Sequence, residues 1–360
     1  MSYFDSIVQA CRREAVLTDQ KLKIKNELSN SDTIEKAFKH FDAKGDGKLD
    51  SEEFRNLLGD LFRSASGNSH EIEPKQANEM FSIFSNNHET MDQPEFKKCW
   101  DNWIKTILRP ISAIIIVDVQ NDFITGSLSI KKCPAKEDGE QIVPVINRLL
   151  DEVPFDNIFY SQDWHPADHI SFFDNLNLAG RDFDEESPIK SKDEAKEYSN
   201  VVFKGPPKTS QTLWPRHCVQ ESDGANFHKD LKMHPQGITV QKGMNNNIDS
   251  YSAFFDNGKL AQTELDTKLK ENKVTDVFVC GIATDICVSY TANDAQDLGY
   301  RTILIQDACG GIQAEDILAT KGNIKVKHGL VVNSTDVNNL VQGTNRPVEL
   351  GYAKALNCKI

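Results

Sequence analysis

The chain has 360 residues, which is long enough for two domains, and its 39% hydrophobic and 26% charged residues are typical of a globular protein. Its formal net charge of -13 excludes nucleic acid and anionic membranes as main partners, because both favour basic surfaces. The chain has no signal peptide pattern and no membrane-length apolar stretch, so we expect a soluble, cytoplasmic protein, with a nuclear location left open.

In chain order, the first recognisable unit is a helix-loop-helix over residues 31–61. Residues 31–35 have the capping-box pattern of a helix start, and a second helix follows residue 53. The twelve residues between these helices, 42–53, have the spacing of an EF-hand calcium loop. Its predicted oxygen donors are Asp42, Asp46, the backbone carbonyl of Lys48, Asp50 and Glu53. Lys44 stands where another ligand is usual, so calcium binding is left open.

A second helix-loop-helix is expected next, because EF-hands usually occur in pairs. Helices are predicted over residues 74–84 and 94–108, separated by a loop over 85–95 that is one residue shorter than the first and lacks the turn glycine. We interpret this second loop as structural. Residues 1–109 are therefore predicted to form a small all-α, EF-hand-like domain that begins with a lead-in helix of unassigned function.

Residues 110–345 alternate between β-branched runs and helical segments. Strands are predicted over residues 113–117, 157–160, 238–240, 274–280, 302–305 and 326–332. Helices are predicted between several of them, over residues 143–150, 260–269 and 286–298. This alternation predicts an α/β domain with a mainly parallel sheet and helices on both faces. Residues 170–212 are interpreted as a long polar insertion, and the tail over 346–360 has no clear pattern.

Four residues with catalytic chemistry follow predicted strands: Asp118, Asp163, Lys242 and Cys287. Ligands of parallel α/β sheets bind beyond the carboxyl ends of the strands, so we expect these side chains to share one site. Cys287 is predicted in the first turn of a helix, where free N–H groups and the helix dipole favour a thiolate, although Asp285 opposes this. The alternative is a buried structural cysteine.

A second group of residues has the composition of a metal site. Asp163, His165 and His169 offer a carboxylate and two imidazoles within seven residues, and His217 is a further candidate. These donors suit a divalent transition metal such as zinc, iron or manganese. A polar loop without a metal is the alternative, and Cys218 is a competing thiol ligand.

Four separated motifs occur in the order found in one enzyme family: residues 118–123 (DVQNDF), 163–165 (DWH), 214–218 (WPRHC) and 281–288 (GIATDICV). In these motifs the chain resembles the nicotinamidase branch of the isochorismatase-like cysteine hydrolases over about residues 110–335. The resemblance implies an isochorismatase-like fold. It also implies hydrolysis of nicotinamide to nicotinic acid and ammonia through a cysteine thioester, which feeds NAD salvage.

The resemblance assigns roles to individual residues. Asp118, Lys242 and Cys287 match the catalytic triad, in which the charge of Lys242 lowers the pKa of the thiol. The implied metal ligands are Asp163, His165 and His217, with His169 as a fourth ligand or a supporting group, and zinc is expected before iron or manganese. The implied substrate contacts are Phe123 and Trp214, and the implied oxyanion hole is formed by the backbone amides of Ala283 and Cys287, next to a cis Ile282–Ala283 peptide bond.

Three alternatives stay open. One is the hydrolysis of another small amide; isochorismate is disfavoured because isochorismatases typically lack the nucleophilic cysteine and the metal ligands. Another is a calcium-responsive interaction protein with an inactive hydrolase scaffold. The third is regulation of the hydrolase by the EF-hand pair, for which a structural role is the competing interpretation. The oligomeric state is also left open, and a homo-oligomer is compatible with the sequence.

Overall fold

The computed structural model describes residues 2–13 and 28–358. The predicted lead-in helix is present as Tyr3–Arg13, and the rest of that prediction lies outside the described residues. Among the described residues, no helix has both the length and the apolar character needed to cross a bilayer.

The first unit is an EF-hand pair. Its helices are α1 (Tyr3–Arg13), α2 (Ser31–Phe41), α3 (Ser51–Leu61), α4 (Pro74–Phe84), α5 (Gln93–Cys99) and α6 (Lys105–Leu108), with a π-helical turn over Trp100–Ile104 between the last two. The two loops meet through short antiparallel strands, β1 (Lys48–Asp50) and β2 (Thr90–Asp92). Asp50 and Asp92 each close a capping box with a glutamate three residues later, which explains why a helix begins directly after each strand.

The second unit is built on a six-stranded, wholly parallel sheet with the order β10-β9-β8-β3-β4-β7. Its strands are β3 (Ser112–Val117), β4 (Asn157–Asp163), β7 (Ile238–Lys242), β8 (Asp276–Ile282), β9 (Arg301–Gly310) and β10 (Leu330–Val332). The central strand β3 is buried along its whole length, which accounts for its unbroken apolar sequence.

Helices cover both faces of this sheet, as the sequence predicted. They are α7 (Asn121–Ile124), α8 (Ile142–Glu152), α9 (Leu265–Glu271), α10 (Cys287–Asp297), α11 (Ala314–Val326) and α12 (Ser334–Val341). The apolar faces of α8 and α12 pack on one side of the sheet, and those of α9 and α10 pack on the other. The α/β class and the small EF-hand unit before it are both confirmed.

Local boundaries differ from the sequence predictions in several places. The last predicted strand is reduced to Leu330–Val332, because residues up to Val326 belong to α11. The helix predicted over 260–269 begins only at Leu265. The insertion over 170–212 contains an antiparallel hairpin, β5 (Asn200–Phe203) and β6 (Thr209–Thr212), with a small apolar cluster of its own.

The C-terminal tail, for which the sequence showed no pattern, forms helix α13 (Val348–Leu356) and packs into the EF-hand core. The indole N–H of Trp103 donates to the carbonyl of Gly351 at 2.8 Å. Arg346, just before the helix, is buried; it donates to the carbonyl of Leu61 and forms an ion pair with Asp5 at 2.7 Å. The two ends of the chain therefore meet in the same unit.

The EF-hand unit lies against the amino ends of the strands. Arg301, the first residue of β9, donates to the carbonyl of Thr106 at 2.7 Å and forms a buried ion pair with Asp276, the first residue of β8. The carboxyl ends of the same strands are therefore on the opposite edge of the sheet.

Candidate active site

The four predicted catalytic and metal-site residues meet at the carboxyl edge of the sheet. Asp118 directly follows β3, Asp163 ends β4, Lys242 ends β7 and Cys287 opens α10 after β8. The strand order β8-β3-β4-β7 makes these positions neighbours. All four side chains are buried.

Lys242 is the centre of the cluster. Its Nζ lies 2.9 Å from Asp118 Oδ2, 2.5 Å from Asp163 Oδ1 and 3.5 Å from Cys287 Sγ, and it also donates to the carbonyl of Ser250 at 2.9 Å. Both carboxylates lie within 4.8 Å of the sulfur. One buried ammonium group thus faces two carboxylates and a thiol.

Opposing effects act on the pKa of the Cys287 thiol. Burial raises the pKa of its thiol well above the usual value; Lys242 lowers that pKa, but Asp118 and Asp163 raise it further. The predicted effect of Lys242 on this pKa is thus present, but burial and the two carboxylates oppose it, and an ionised sulfur stays a prediction. The carboxylate of Asp285 accepts the backbone N–H groups of Ile312 and Gln313, so it fixes the loop after β9.

Asp118 has a higher pKa than an ordinary carboxyl group. Burial, with repulsion from Asp163, raises its pKa to about 6 against the pull of Lys242. A carboxylate with this pKa can both accept and return a proton near neutral pH. Asp118 is thus suited to exchange a proton with the thiol beside it.

Asp163, His165 and His217 form a buried group whose candidate ligand atoms all lie within 4.8 Å of one another. The Nδ1 atoms of His165 and His217 face the carbonyls of Gly243 and Pro215 at 2.9 and 2.7 Å. A carbonyl only accepts, so each Nδ1 carries the proton and each Nε2 keeps its lone pair. Because both Nε2 atoms lie within 4 Å of Asp163 Oδ2, this donor set fits a divalent transition metal.

His169 lies next to this group but belongs to a second cluster with Asp249. Its ring stacks on that of His165 with centroids 4.0 Å apart. Its Nδ1 accepts the Ser171 backbone N–H at 3.4 Å, and its buried Nε2 lies 4.0 Å from Asp249 Oδ1 without a hydrogen-bond partner among the described residues. Its Nδ1 also lies 2.7 Å from the Ser171 hydroxyl, which can donate or accept, so these contacts do not fix which ring nitrogen carries the proton. Both predicted roles of His169, a fourth ligand and a supporting group, therefore stay predictions.

A pocket with aromatic and aliphatic walls opens onto Cys287, Asp163 and His217. Its apolar lining includes both predicted contacts, Phe123 and Trp214, together with Tyr251, Ile130 and Ile312. The indole N–H of Trp214 donates to the Tyr251 hydroxyl at 3.3 Å. The pocket therefore offers flat apolar walls with the thiol and the metal-ligand group at its polar end.

The backbone beside Cys287 has the predicted form. The Ile282–Ala283 peptide bond is cis. Among the hydrogen bonds of residues 28–358, none uses the backbone N–H of Ala283 or of Cys287. Both N–H groups are thus available to an oxyanion on a bound ligand.

Sequence reasoning missed two residues that hold the site together. The side-chain amide of Gln120 donates to the carbonyl of Asp163 at 2.8 Å, and its oxygen accepts the Asp163 N–H at the same distance. The hydroxyl of Ser161 donates to Asp118 Oδ1 at 2.6 Å. Ser161 precedes Asp163 by two residues in β4, so the period of a strand was a usable signal that both face the site.

The first EF-hand loop has the predicted turn but contains an internal cation. The ammonium group of Lys44 contacts the carboxylate of Asp50. The two carboxylate oxygens of Glu53 accept the backbone N–H groups of Lys44 and Asp50, both at 3.0 Å. Asp42 accepts two backbone N–H groups of the turn, and Asp46 accepts that of Lys48. Lys44 thus occupies the position of a missing oxygen ligand.

The sheet, the buried Asp-Lys-Cys cluster and the adjoining metal-ligand group define the class of protein. The chain belongs to the isochorismatase domain family, whose model matches residues 112–336, and an EF hand domain model matches residues 33–61.

The relatives within this family are more specific. The chain is 38% identical over 208 residues to a nicotinamidase of Escherichia coli, a match that covers 57% of this chain and 86% of the relative. A nicotinamidase of Schizosaccharomyces pombe is 34% identical, with coverages of 56% and 84%. The solved nicotinamidase and pyrazinamidase of Acinetobacter baumannii superposes with a TM-score of 0.53 at 35% identity and covers 63% of this chain and 98% of its own.

Proposed function

We propose that this protein is a nicotinamidase, which hydrolyses nicotinamide to nicotinic acid and ammonia and so feeds NAD salvage in the cytoplasm. The observation that carries the proposal is the buried contact of Lys242 with Asp118 and Cys287, beside the aromatic-walled pocket. The identity to nicotinamidases over most of their length supports the same substrate. The substrate partner is a small uncharged molecule, and a homo-oligomer stays open.

The first half-reaction forms a thioester. Asp118 takes the proton from the Cys287 thiol as the sulfur attacks the amide carbon, and the backbone N–H groups of Ala283 and Cys287 donate to the resulting oxyanion. Asp118 then returns the proton to the amide nitrogen, the carbon–nitrogen bond breaks, and ammonia leaves. Lys242 stabilises the transient thiolate and keeps the two carboxylates from repelling each other.

The second half-reaction releases the acid. Asp118 removes a proton from a water molecule, and the resulting hydroxide attacks the thioester carbon. As the carbon–sulfur bond breaks, Asp118 returns that proton to the departing sulfur, which restores the ionised carboxylate and the thiol for the next cycle. A carboxamide is a poor electrophile, so this division into two steps lowers each barrier. Burial of the cluster keeps other water from competing with the substrate.

Asp163, His165 and His217 would hold a divalent metal, with zinc expected before iron or manganese, and His169 would support His165. An ion held by these residues would supply Lewis-acid chemistry toward the pyridine nitrogen of the substrate. Phe123 and Trp214 line the pocket together with Cys287, so they would contact the ring and hold the carboxamide near the sulfur.

The test is ammonia release from nicotinamide by the purified full chain. Cys287→Ala should abolish turnover, whereas Cys358→Ala, which alters a thiol near the far end of the chain, should keep wild-type activity. Asp163→Ala should lose bound metal and weaken substrate binding. Full activity of Cys287→Ala would remove the proposed nucleophile, and unchanged metal content in Asp163→Ala would move the metal elsewhere.

Two alternatives are tested by the same preparation. A panel of other small amides measures selectivity, and a better substrate than nicotinamide would replace it in the proposal. An interaction protein with an inactive scaffold predicts no turnover together with a large calcium-dependent change in exposed apolar surface. The buried Asp118–Lys242–Cys287 cluster favours the enzyme, because such burial of charge is costly without a chemical use.

For the EF-hand unit, residues 1–109, we propose a structural role in which it holds the C-terminal helix of the chain. Direct regulation by covering the pocket is disfavoured, because the unit contacts the amino ends of the strands and the pocket lies at their carboxyl ends. Calcium at the first loop stays open in this proposal. A calcium titration of the amidase rate decides: a flat response supports the structural role, and a graded response supports regulation.

A further inference from the structure

Ser161 contacts Asp118 at two points. Its hydroxyl donates to Asp118 Oδ1 at 2.6 Å, and its backbone carbonyl accepts the Asp118 N–H at 3.2 Å. Both side chains are buried, Ser161 to 1% and Asp118 to 0% exposure. The contact follows from the sheet, since Val117 of β3 pairs with Ser161 of β4 and Asp118 is the next residue.

The hydrogen bond from the Asp118 N–H to the Ser161 carbonyl matters because the backbone of Asp118 has an uncommon conformation. Its φ of +51° is in the left-handed region that non-glycine residues seldom adopt. The Asp118 N–H bond to Ser161 helps to hold this conformation at the point where the chain leaves β3. The Ser161 hydroxyl is therefore not needed to place the backbone, and it acts only on the carboxylate.

The two oxygens of the Asp118 carboxylate have different partners. Oδ1 accepts the Ser161 hydroxyl, while Oδ2 lies 2.9 Å from Lys242 Nζ. The carboxylate as a whole lies within 4.8 Å of the Cys287 sulfur. Partial rotation about the Cβ–Cγ bond would turn the carboxylate plane and break the contacts of both oxygens. A short hydrogen bond to a charged oxygen resists that rotation.

We propose that Ser161 is a positioning residue for the proton carrier of this enzyme. By holding Oδ1, it keeps Oδ2 at Lys242 and fixes the carboxylate plane beside the sulfur of Cys287 through both proton transfers of the thioester step. The inference rests on the proposed function, in which Asp118 carries the proton, and adds a residue outside the triad and the metal-ligand set. Ser161 does not touch the substrate, so it acts on the rate of the chemical step and not on binding.

The direct test compares two buried serines of the full chain. Ser112 is also buried, and its hydroxyl donates to Asp156 Oδ2 at 3.1 Å at the amino end of β3. Ser161→Ala and Ser112→Ala therefore remove the same kind of hydrogen bond at opposite edges of the sheet. We expect Ser161→Ala to lower kcat between about 10-fold and 100-fold, the range for a hydrogen bond to a charged group, with KM, metal content and affinity for nicotinic acid within twofold of wild type. Ser112→Ala should keep the wild-type kcat.

A second pair isolates the hydroxyl if Ser161→Ala does not fold. Ser161→Thr and Ser161→Val have the same shape, suit a strand and differ only by a hydroxyl in place of a methyl group. Thr is expected to exceed Val in kcat at least tenfold. Equal kcat values for this pair, or a loss in Ser161→Ala that follows metal content or is matched by Ser112→Ala, would overturn the positioning role.

Failure of the proposed function can be distinguished from failure of the positioning role. If the wild-type chain releases no ammonia from nicotinamide, the substrate is wrong, and the crystal structure of Ser161→Ala then decides the positioning role by itself. A carboxylate turned away from Lys242 and Cys287 supports the role. A carboxylate that superposes on that of the wild-type protein contradicts it.

Discussion

Asp163 and Lys242 are paired residues on the adjacent parallel strands β4 and β7, and their side chains form a buried ion pair of 2.5 Å between Oδ1 and Nζ. The other oxygen of Asp163 faces His165 and His217. Lys242 also contacts Asp118 and Cys287. The proposed nucleophile and the proposed metal-ligand group are therefore joined through one ammonium group.

Replacement of Lys242 by Met should reduce both activity and stability. Without the ammonium group, two buried carboxylates face each other unpaired, which typically costs about 3–5 kcal/mol. We expect turnover to fall more than 100-fold and the free energy of unfolding in urea to fall by about that amount. Lys259→Met is the control, because Lys259 is largely exposed and its 2.8 Å ion pair with Asp294 is worth about 1 kcal/mol or less. Equal stability of the two variants would contradict the linking role of Lys242.

Gly243→Ala should displace a metal ligand. A Cβ at this position would lie 2.4 Å from the ring of His165, whose Nδ1 is bonded to the Gly243 carbonyl. We expect metal content, measured by elemental analysis after dialysis, to fall severalfold. Gly299→Ala is the matched control, since Gly299 also has a positive φ but open space around its Cβ position. If both variants retain metal equally, the close approach of Gly243 does not position His165.

The rate of hydrolysis should decline in acid. Asp118, whose pKa burial raises to about 6, must be ionised to accept the thiol proton. We therefore expect kcat/KM to fall about tenfold per pH unit below that pKa, because this parameter reports the free enzyme. Because the folded pKa exceeds the unfolded one, the folded state binds this proton more tightly, and protonation of Asp118 does not itself favour unfolding. Circular dichroism at each pH checks the fold, and a rate that is flat down to pH 4.5 would exclude Asp118 as the base.

Lys44→Asn should strengthen calcium binding by the first EF-hand. The substitution removes the ammonium group that contacts Asp50 and supplies an oxygen ligand at the third loop position. We expect isothermal titration calorimetry to show calcium affinity at least tenfold above that of the wild-type chain. The double variant Lys44→Asn with Glu53→Gln should lose this gain, because Glu53 is the bidentate ligand. Equal affinities of wild type and Lys44→Asn would show that Lys44 does not compete with calcium.

Gly351→Ala should loosen the C-terminal helix from the EF-hand unit. The added Cβ would lie 2.2 Å from the ring of Phe62, an overpacking that typically costs about 1–3 kcal/mol. Gly322→Ala, in helix α11 with open space at its Cβ position, should instead stabilise by up to about 1 kcal/mol. Thermal unfolding measures both. Amidase activity of folded Gly351→Ala should equal that of wild type, and a loss would mean that the EF-hand unit acts on the site.

The sequence alone was sufficient for the class of the fold and for the candidate site residues. Buried parallel strands need continuous apolar runs, and β3 shows one in the sequence. Asp118, Asp163, Lys242 and Cys287 could be predicted together because parallel strands bring their carboxyl ends to one edge. The structure brings these four side chains into contact range, and the catalytic and metal-binding roles stay predictions for the experiments above.

Long-range contacts determined the remaining features. The pKa of the Cys287 thiol depends on burial, on Lys242 and on two carboxylates more than 100 residues away in the chain, which the local sequence around the helix start does not show. The contact of Ser161 with Asp118 depends on which strands are neighbours. Helix α13 packs against Phe62 and Trp103 of the EF-hand unit. These partners are far away in the chain, so the sequence of the tail alone did not reveal the helix or its position. Local periodicity thus determined the elements and the chemistry available to them. Strand order and burial, which are properties of the whole fold, decided which charged groups meet, how their side chains are oriented and where the C-terminal helix packs.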